Sequence, residues 1–447
     1  MIGMLEWNTT VRWFRETARS MLPKGRFARG VTVLAGGAAL GQAINVMVFP
    51  VLTRLYSPED FGIFGVFSSI LAIAIVVASL RYEYAIILPE DDRKAANVMT
   101  LCFFILIGTT LCSWSLLQML RDQIVTWTNT PGLGQYLWLI PVGMLGAGAY
   151  QILNYWTVRK RDFVRIGRTR LTRGVGRALF QVGLGFSASG PLGLLVGQVA
   201  GECVGSASLA SAALNRDRVV LGAVSLDGIR EAIARYRRFP IFSGTADLID
   251  TLGLNAPQIL FAAFYGADVA GWFALGQRVI AAPLNIVVDS VSQVYFGEAA
   301  RLPRDDHRSM RRLFLKLTGR LALMGAIPVA LICALAPWFF AVVFGQSWET
   351  AGRYVQILGV MFAVRFAVVP LQHTLNILER QDLYFAWDSA RLVMVVGAML
   401  TANAMGFSHI GAVAAYSVAM SAAYVLFWLI GWNALTAKRG IQESKEI

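Results

Sequence analysis

Long apolar stretches alternate with short polar breaks along this chain, and that alternation sets the expected fold before any single residue does. The stretches 30–53, 61–80, 95–120, 321–344 and 410–436 contain no charged residue. Each is long enough to cross a hydrocarbon core of about 30 Å as a helix. Shorter or charge-interrupted stretches fill the gaps, and the pattern predicts twelve helices: 30–53, 61–84, 95–120, 134–157, 168–187, 191–214, 239–264, 269–296, 316–344, 353–378, 384–405 and 409–435. The run 178–201 is uncharged throughout and is divided at "SASGP", which suits a turn better than a helix interior. Ser57 and Pro58 suit a helix start, and the acids Glu59 and Asp60 favour its first turn.

Composition agrees with lipid as the solvent: 56% of residues are apolar and 15% charged, far from soluble averages. The expected fold is an all-α polytopic membrane protein. The cysteines at 102, 112, 203 and 333 have no metal-like spacing and read as packing residues. The segment 1–29 carries six Arg and Lys without an apolar core, so a cleaved signal peptide is not expected. With Trp7, Trp13 and Phe14 interleaved, it suits the membrane surface.

A net charge of +13 raises the question of nucleic acid, and the distribution of the charges decides against it. With the N-terminus placed inside, alternate connections collect 34 of the 40 Lys and Arg; Arg54, Arg121 and Arg353 fall opposite, and Arg278, Arg365 and Arg391 fall within helices. This asymmetry predicts both termini in the cytoplasm and an even number of spans. The basic balance then reports orientation and attraction to anionic lipid. No connection is large enough for a soluble catalytic domain. "GLGFSA" at 183–188 fits a dinucleotide glycine pattern only formally, since no strand precedes it, and no phosphate-binding G-x-x-x-x-G-K-[ST] loop occurs. No cofactor or metal is expected.

The chain also repeats itself. From Tyr56, an acid stands at +3 (Glu59), a glycine at +6 (Gly62) and a phenylalanine at +8 (Phe64); from Tyr265 the same offsets give Asp268, Gly271 and Phe273. A second echo, at an offset near 220, relates "LNYWTVRKRDF" from Leu153 to "LNILERQDL" from Leu375. Two parallel six-helix lobes, 30–214 and 239–436, follow, with a cytoplasmic linker at 215–238 and a tail at 437–447. Such halves belong to transporters that hold their substrate between them near mid-membrane.

Charges near a bilayer centre cost roughly 2.5–3.5 kcal/mol on insertion scales and so mark cavities or partners. Arg170, Arg173, Arg177 and Gln181 share a face of the fifth helix; the stripe suits either a phosphate path or snorkelling to the surface. Helix 7 offers Asp247 and Asp250, helix 8 Arg278 and Asp289, helix 10 Arg365 and Gln372. Asp388 and Arg391, three apart, suit a local pair. Arg81, Tyr82 and Glu83 stand at the inner end of helix 2, where snorkelling and function are equally open. Glu202 stands among Gly193, Gly197, Gly201 and Gly205, whose ladder permits close helix contact; whether the acid packs or functions stays open. In "PEDDRKAA" the acids suit the start of helix 3.

"FPVLTRLYSPEDFGIFGVFSSI" and "ASLRYEYAIILPEDDRKAANVMTL" together resemble the N-terminal signature of Wzx-type oligosaccharide flippases. These form part of the polysaccharide synthesis branch of the multidrug/oligosaccharidyl-lipid/polysaccharide exporter superfamily. The match is closest over about residues 30–105. The resemblance implies two pseudo-symmetric lobes around a central basic cavity. It also implies movement of an undecaprenyl-diphosphate-linked oligosaccharide from the inner to the outer leaflet of the bacterial inner membrane, coupled to a proton or sodium ion, for surface polysaccharide synthesis alongside assembly proteins. On this reading Arg278 and Arg365, with Arg81, Arg177 and Gln372, bind the diphosphate and glycan, and Asp247 or Asp250 couples the ion. The competing classes are a cation-coupled drug or metabolite exporter, which calls for an acid-dominated cavity, a membrane glycosyltransferase or polymerase, which calls for a large outer loop, and a scaffold for an assembly complex.

Overall fold

The computed structural model describes residues 41–436 apart from 42, 45, 188–189, 223 and 303–306. The expected surface segment 1–29, the start of the first helix and the tail 437–447 lie outside the described residues. The described chain is helical, with no strand. Its first half comprises α1 (Val46–Leu55), α2 (Pro58–Val77), α3 (Asp92–Met119), α4 (Leu139–Arg159), α5 (Phe163–Ser187) and α6 (Leu192–Arg216). A linker helix, Leu226–Tyr236, follows. The second half comprises α7 (Thr245–Tyr265), α8 (Ala267–Ala299), α9 (His307–Phe344), α10 (Glu349–Val368), α11 (Gln381–Ala404) and α12 (His409–Thr436). Among the described residues eight helices are long and apolar enough to cross a membrane; α4, α5 and α7, at 21, 25 and 21 residues, have the length but are less apolar.

The repeat motifs prove to be matched structural parts. Ser57 caps α2 through a reciprocal box with Asp60: the Ser57 hydroxyl accepts from the Asp60 N–H at 3.1 Å, and the Asp60 carboxylate accepts from the Ser57 N–H at 2.9 Å. The two equivalent glycines then meet. A Cβ on Gly62 would overlap the backbone of Ala267, and one on Gly271 would overlap the backbone of Pro58. Helices α2 and α8 therefore cross backbone to backbone at the ends that begin both motifs, in the manner of small-residue membrane contacts. The second echo is a repeated turn. Arg161 and Glu379 have φ of 57° and 58°. In each turn one N–H reaches back three residues (Arg161 to Val158, 2.9 Å; Glu379 to Asn376, 3.1 Å) and the next reaches back five (Asp162 to Thr157, 3.2 Å; Arg380 to Leu375, 2.9 Å). This is the Schellman way of ending a helix.

Within the first half α5 packs on α6, and α4 on α3 and α6; within the second, α9 packs on α10, α12 on α10 and α11, and α7 on α11. The halves meet chiefly where α2 lies against α7 and α8. At the end carrying α2's start, the Trp348 indole donates to the Thr53 carbonyl at 3.2 Å, its ring meets Phe61 at 4.9 Å, and Arg54 donates to the Val342 carbonyl at 3.3 Å. At the opposite, basic end Arg81 pairs with Asp247 at 2.8 Å, joining the halves again.

Two helices stop earlier than their apolar patterns predict. α2 ends at Val77, not 84; Leu80 and Arg81 take φ of 50° and 61°, and a 3-10 turn, Tyr82–Ile87, follows. The Ser79 hydroxyl bonded to the Glu83 carboxylate at 2.6 Å holds this bend. α10 ends at Val368, and the chain tightens into a 3-10 turn, Val369–Gln372. Pro370, lacking an N–H, cannot continue the helical ladder there. The split between α5 and α6 falls at "SASGP", where Gly190 takes φ of 81°.

Candidate functional site

A cavity of about 270 Å³ lies between the halves. Phe49 from α1, Phe64 and Ser68 from α2, Arg177 and Gln181 from α5 and Gln198 from α6 line one side, and Arg278, Ala281, Ala282 and Asn285 from α8 the other. Two arginines and no carboxylate face it. Arg278 lies over the Phe64 ring, 4.2 Å from its centroid, so the aromatic face stabilises the guanidinium. Phe64 is the aromatic member of the first repeat motif, which places the repeat on the cavity wall. Arg365, from α10, does not line the cavity itself but donates to the side-chain oxygen of Asn285, which does, at 2.8 Å.

The α5 stripe is held differently along its length. Arg170, nearest the basic end, is exposed. Arg173 stacks on Tyr150 at 4.0 Å and bonds Glu202, and Arg177 donates to the other Glu202 oxygen at 3.0 Å. The glycines of α6 allow this: a Cβ on Gly205 would lie 2.6 Å from Arg173 Cδ, and one on Gly201 would lie 3.1 Å from Arg177 Cβ. Gln181 is buried, its amide donating to the Leu194 carbonyl at 3.2 Å and its own carbonyl accepting from the Tyr56 hydroxyl at 2.7 Å. Two polar atoms around the cavity, Ser68 Oγ and Arg177 Nε, are buried with no hydrogen-bond partner among the described residues.

The other sequence candidates lie elsewhere. Arg81 sits at the basic end, within 2.8 Å of Asp247, and the Tyr84 hydroxyl donates to the same carboxylate at 2.8 Å. Asp250 accepts from Arg391 at 2.7 Å, and Arg391 also pairs with Asp388 at 3.1 Å, an α11 pair at the predicted spacing. Gln372 is half-buried in its 3-10 turn and, like Arg365, does not line the cavity; α10 ends at Val368, so the two do not share one helix. Asp289 is exposed. Near the basic end Lys160 bridges Asp92 at 2.7 Å and Asp217 at 3.2 Å. Burial opposes the Lys160 charge, but the two carboxylates outweigh it and hold its pKa above the ordinary lysine value. No cluster of metal-binding side chains occurs among the described residues.

Ser68, Gln198 and Asn285 were not singled out in the sequence, and Phe64 was marked there only as a member of the repeat, not as a lining residue. Glu202 drew notice as an acid in a glycine ladder, and the structure shows which charges it meets.

An arginine-lined cavity between two repeated helical halves is transporter architecture. The family described as "Polysaccharide biosynthesis protein" matches residues 51–353. The chain belongs to that family. Among curated relatives, the teichuronic acid biosynthesis protein TuaB of Bacillus subtilis (strain 168) is 28% identical over 156 residues, 35% of this chain and 32% of TuaB. The succinoglycan biosynthesis transport protein ExoT of Rhizobium meliloti (strain 1021) is 20% identical over 377 residues, 83% of this chain and 72% of ExoT. The lipopolysaccharide biosynthesis protein WzxC of Escherichia coli (strain K12) is 23% identical over 174 residues, 39% of this chain and 35% of WzxC. The chain thus aligns with only about a third of TuaB and of WzxC. Its fold is shared with the lipid II flippase MurJ in an inward closed conformation, with a TM-score of 0.68 at 11% identity over 90% of this chain and 86% of that one. An inward-facing multidrug resistance MATE family transporter of the MOP superfamily gives 0.64 at 15% identity over 91% and 95%.

Proposed function

We propose that this protein is a flippase that carries undecaprenyl-diphosphate-linked oligosaccharide from the inner to the outer leaflet of the bacterial inner membrane, supplying O-antigen, capsule or exopolysaccharide synthesis. The observation that carries this reading is the cavity between the halves, lined by Arg177 and Arg278 with no carboxylate facing it. A diphosphate is the natural guest of such a wall. Planar guanidinium donors grip phosphate oxygens, and at an effective dielectric of about 20 each unit charge pair near 4 Å contributes about 4 kcal/mol. Family membership and the names of ExoT and WzxC support the same reading.

In this mechanism the lobes 30–214 and 239–436 rock against each other, and the α2–α8 crossing closes one end of the cavity and parts when that end opens. Arg177, Arg278 and Arg365 hold the diphosphate, with Arg81 and Gln372 toward the basic end, and the lipid tail stays in the bilayer. Asp247 or Asp250 couples movement to a proton or sodium ion. Both termini are cytoplasmic, and no catalytic step is assigned to the chain. A cation-coupled drug exporter would need carboxylates where this cavity presents arginines.

The test uses vesicles containing purified protein and a labelled lipid-linked oligosaccharide. Replacing Arg278 and Arg365 together with Ala abolishes transfer between leaflets if the reading holds. Unchanged transfer at equal protein content refutes it.

A further inference from the structure

The α5 stripe carries more positive charge than the α6 acid beside it neutralises, and the one acid there touches both arginines. Glu202 is buried; one carboxylate oxygen accepts from Arg177 at 3.0 Å and the other bonds Arg173. Only Arg177 of the two lines the cavity. Arg173 has its own seat, stacked on Tyr150 at 4.0 Å and donating to the Gly201 carbonyl at 3.3 Å. Gln198, one turn before Glu202 on α6, lines the cavity and lies 3.5 Å from the same carboxylate oxygen that Arg177 uses. The carboxylate therefore sits at the edge of the proposed phosphate site, shared between one arginine that faces it and one that does not.

We infer that Glu202 is an internal competitor for the substrate's phosphate: it holds Arg177 until a diphosphate replaces it, and then rests on Arg173 alone. A carboxylate and a phosphate oxygen ask the same geometry of a guanidinium, so the exchange needs only a small shift along the two-arginine fork. Arg177 Nε, buried with no hydrogen-bond partner among the described residues, is a donor that Glu202 does not use. The consequence is lowered affinity and easier release. A site open in about one molecule in ten binds roughly tenfold more weakly than the same site held open, and a transporter that must release its load gains turnover from that loss. This inference rests on the flippase reading and adds to it a residue that tunes substrate affinity.

Binding of farnesyl diphosphate, an isoprenyl diphosphate small enough for solution work, to the purified full-length protein tests it. Glu202→Gln is expected to bind about tenfold more tightly while transfer of the labelled lipid-linked oligosaccharide slows. Arg173→Gln is expected to bind more weakly, because Glu202 then rests wholly on Arg177. The double variant is expected to match Glu202→Gln, and Glu202→Asp, which keeps the charge, to stay near wild type. Glu202→Gln binding no more tightly than wild type overturns the inference. Arg278→Ala separates the two levels. If it loses the probe while Glu202→Gln leaves affinity unchanged, the competitor role fails and the phosphate site stands. If wild type and Arg278→Ala both fail to bind, the site itself is wrong and the inference falls with it.

Discussion

Replacing Gly62 with Ala adds one methyl group at the point where the two halves touch. The new Cβ would lie 2.6 Å from the Ala267 carbonyl carbon, where ordinary contact is 3.4–4 Å. Because both partners are helix backbone, no side chain can swing away, and the helices must separate by about 1 Å in an interior that is otherwise close-packed. Overpacking of this kind costs roughly 1–3 kcal/mol, equivalent to about a 5- to 160-fold change in an equilibrium. The strain exists only while α2 and α8 are crossed, so rocking lobes would relieve it by opening the end that holds Trp348 and Arg54. The assay is thiol labelling of Ser68→Cys, which lines the cavity and whose Oγ makes no hydrogen bond among the described residues, in a background freed of Cys102, Cys112, Cys203 and Cys333. A membrane-impermeant maleimide added outside intact cells should label Gly62→Ala several-fold faster than the parent. Gly271→Ala, at the equivalent site, should act alike. Equal rates at matched protein levels would refute the argument that the repeat glycines close this end.

Other outcomes follow from the same geometry. Asp247→Asn removes the ion pair to Arg81 and weakens the bond from Tyr84; Ser68→Cys should then label faster from the basic face in inverted vesicles, the opposite sidedness to Gly62→Ala, and unchanged sidedness would count against an interlobe lock. Phe64→Leu deletes the ring under Arg278 and should weaken farnesyl diphosphate binding by about two- to thirtyfold, with Phe64→Trp retaining it; isothermal titration reads both. Arg391→Leu strands Asp388, both side chains being only 4% exposed, and should lower stability by about 3–5 kcal/mol, seen as a fall in Tm. Adding Asp388→Leu should recover most of that loss.

The legible part of the site was its charge, and the illegible part its company. Arg177 and Arg278 stand out in any reading because a guanidinium inside an apolar helix needs a reason to be there. Asn285, Ser68 and Gln198 do not, since neutral polar residues are cheap enough to appear on many helix faces. Asp247 and Asp250 look equivalent in sequence, three apart on one helix, yet one faces Arg81 across the halves and the other faces Arg391 within its own half. Gln372 and Arg365 are seven apart, a helical spacing, but Pro370 intervenes and the shared face is lost.

What the sequence alone determined was the solvent, the all-helical class, most of the break points and the existence of a repeat, because each depends on local hydropathy, turn chemistry and periodicity. It also marked Gly62 and Gly271 as equivalent without saying that they touch. The tertiary structure alone decided that these glycines meet each other, that Arg278 rests on Phe64, and that Glu202 is shared between Arg173 and Arg177. Those contacts join residues tens to hundreds of positions apart. No local pattern encodes the relative placement of two helices; it follows only when all their apolar faces and close-approach glycines are satisfied at once.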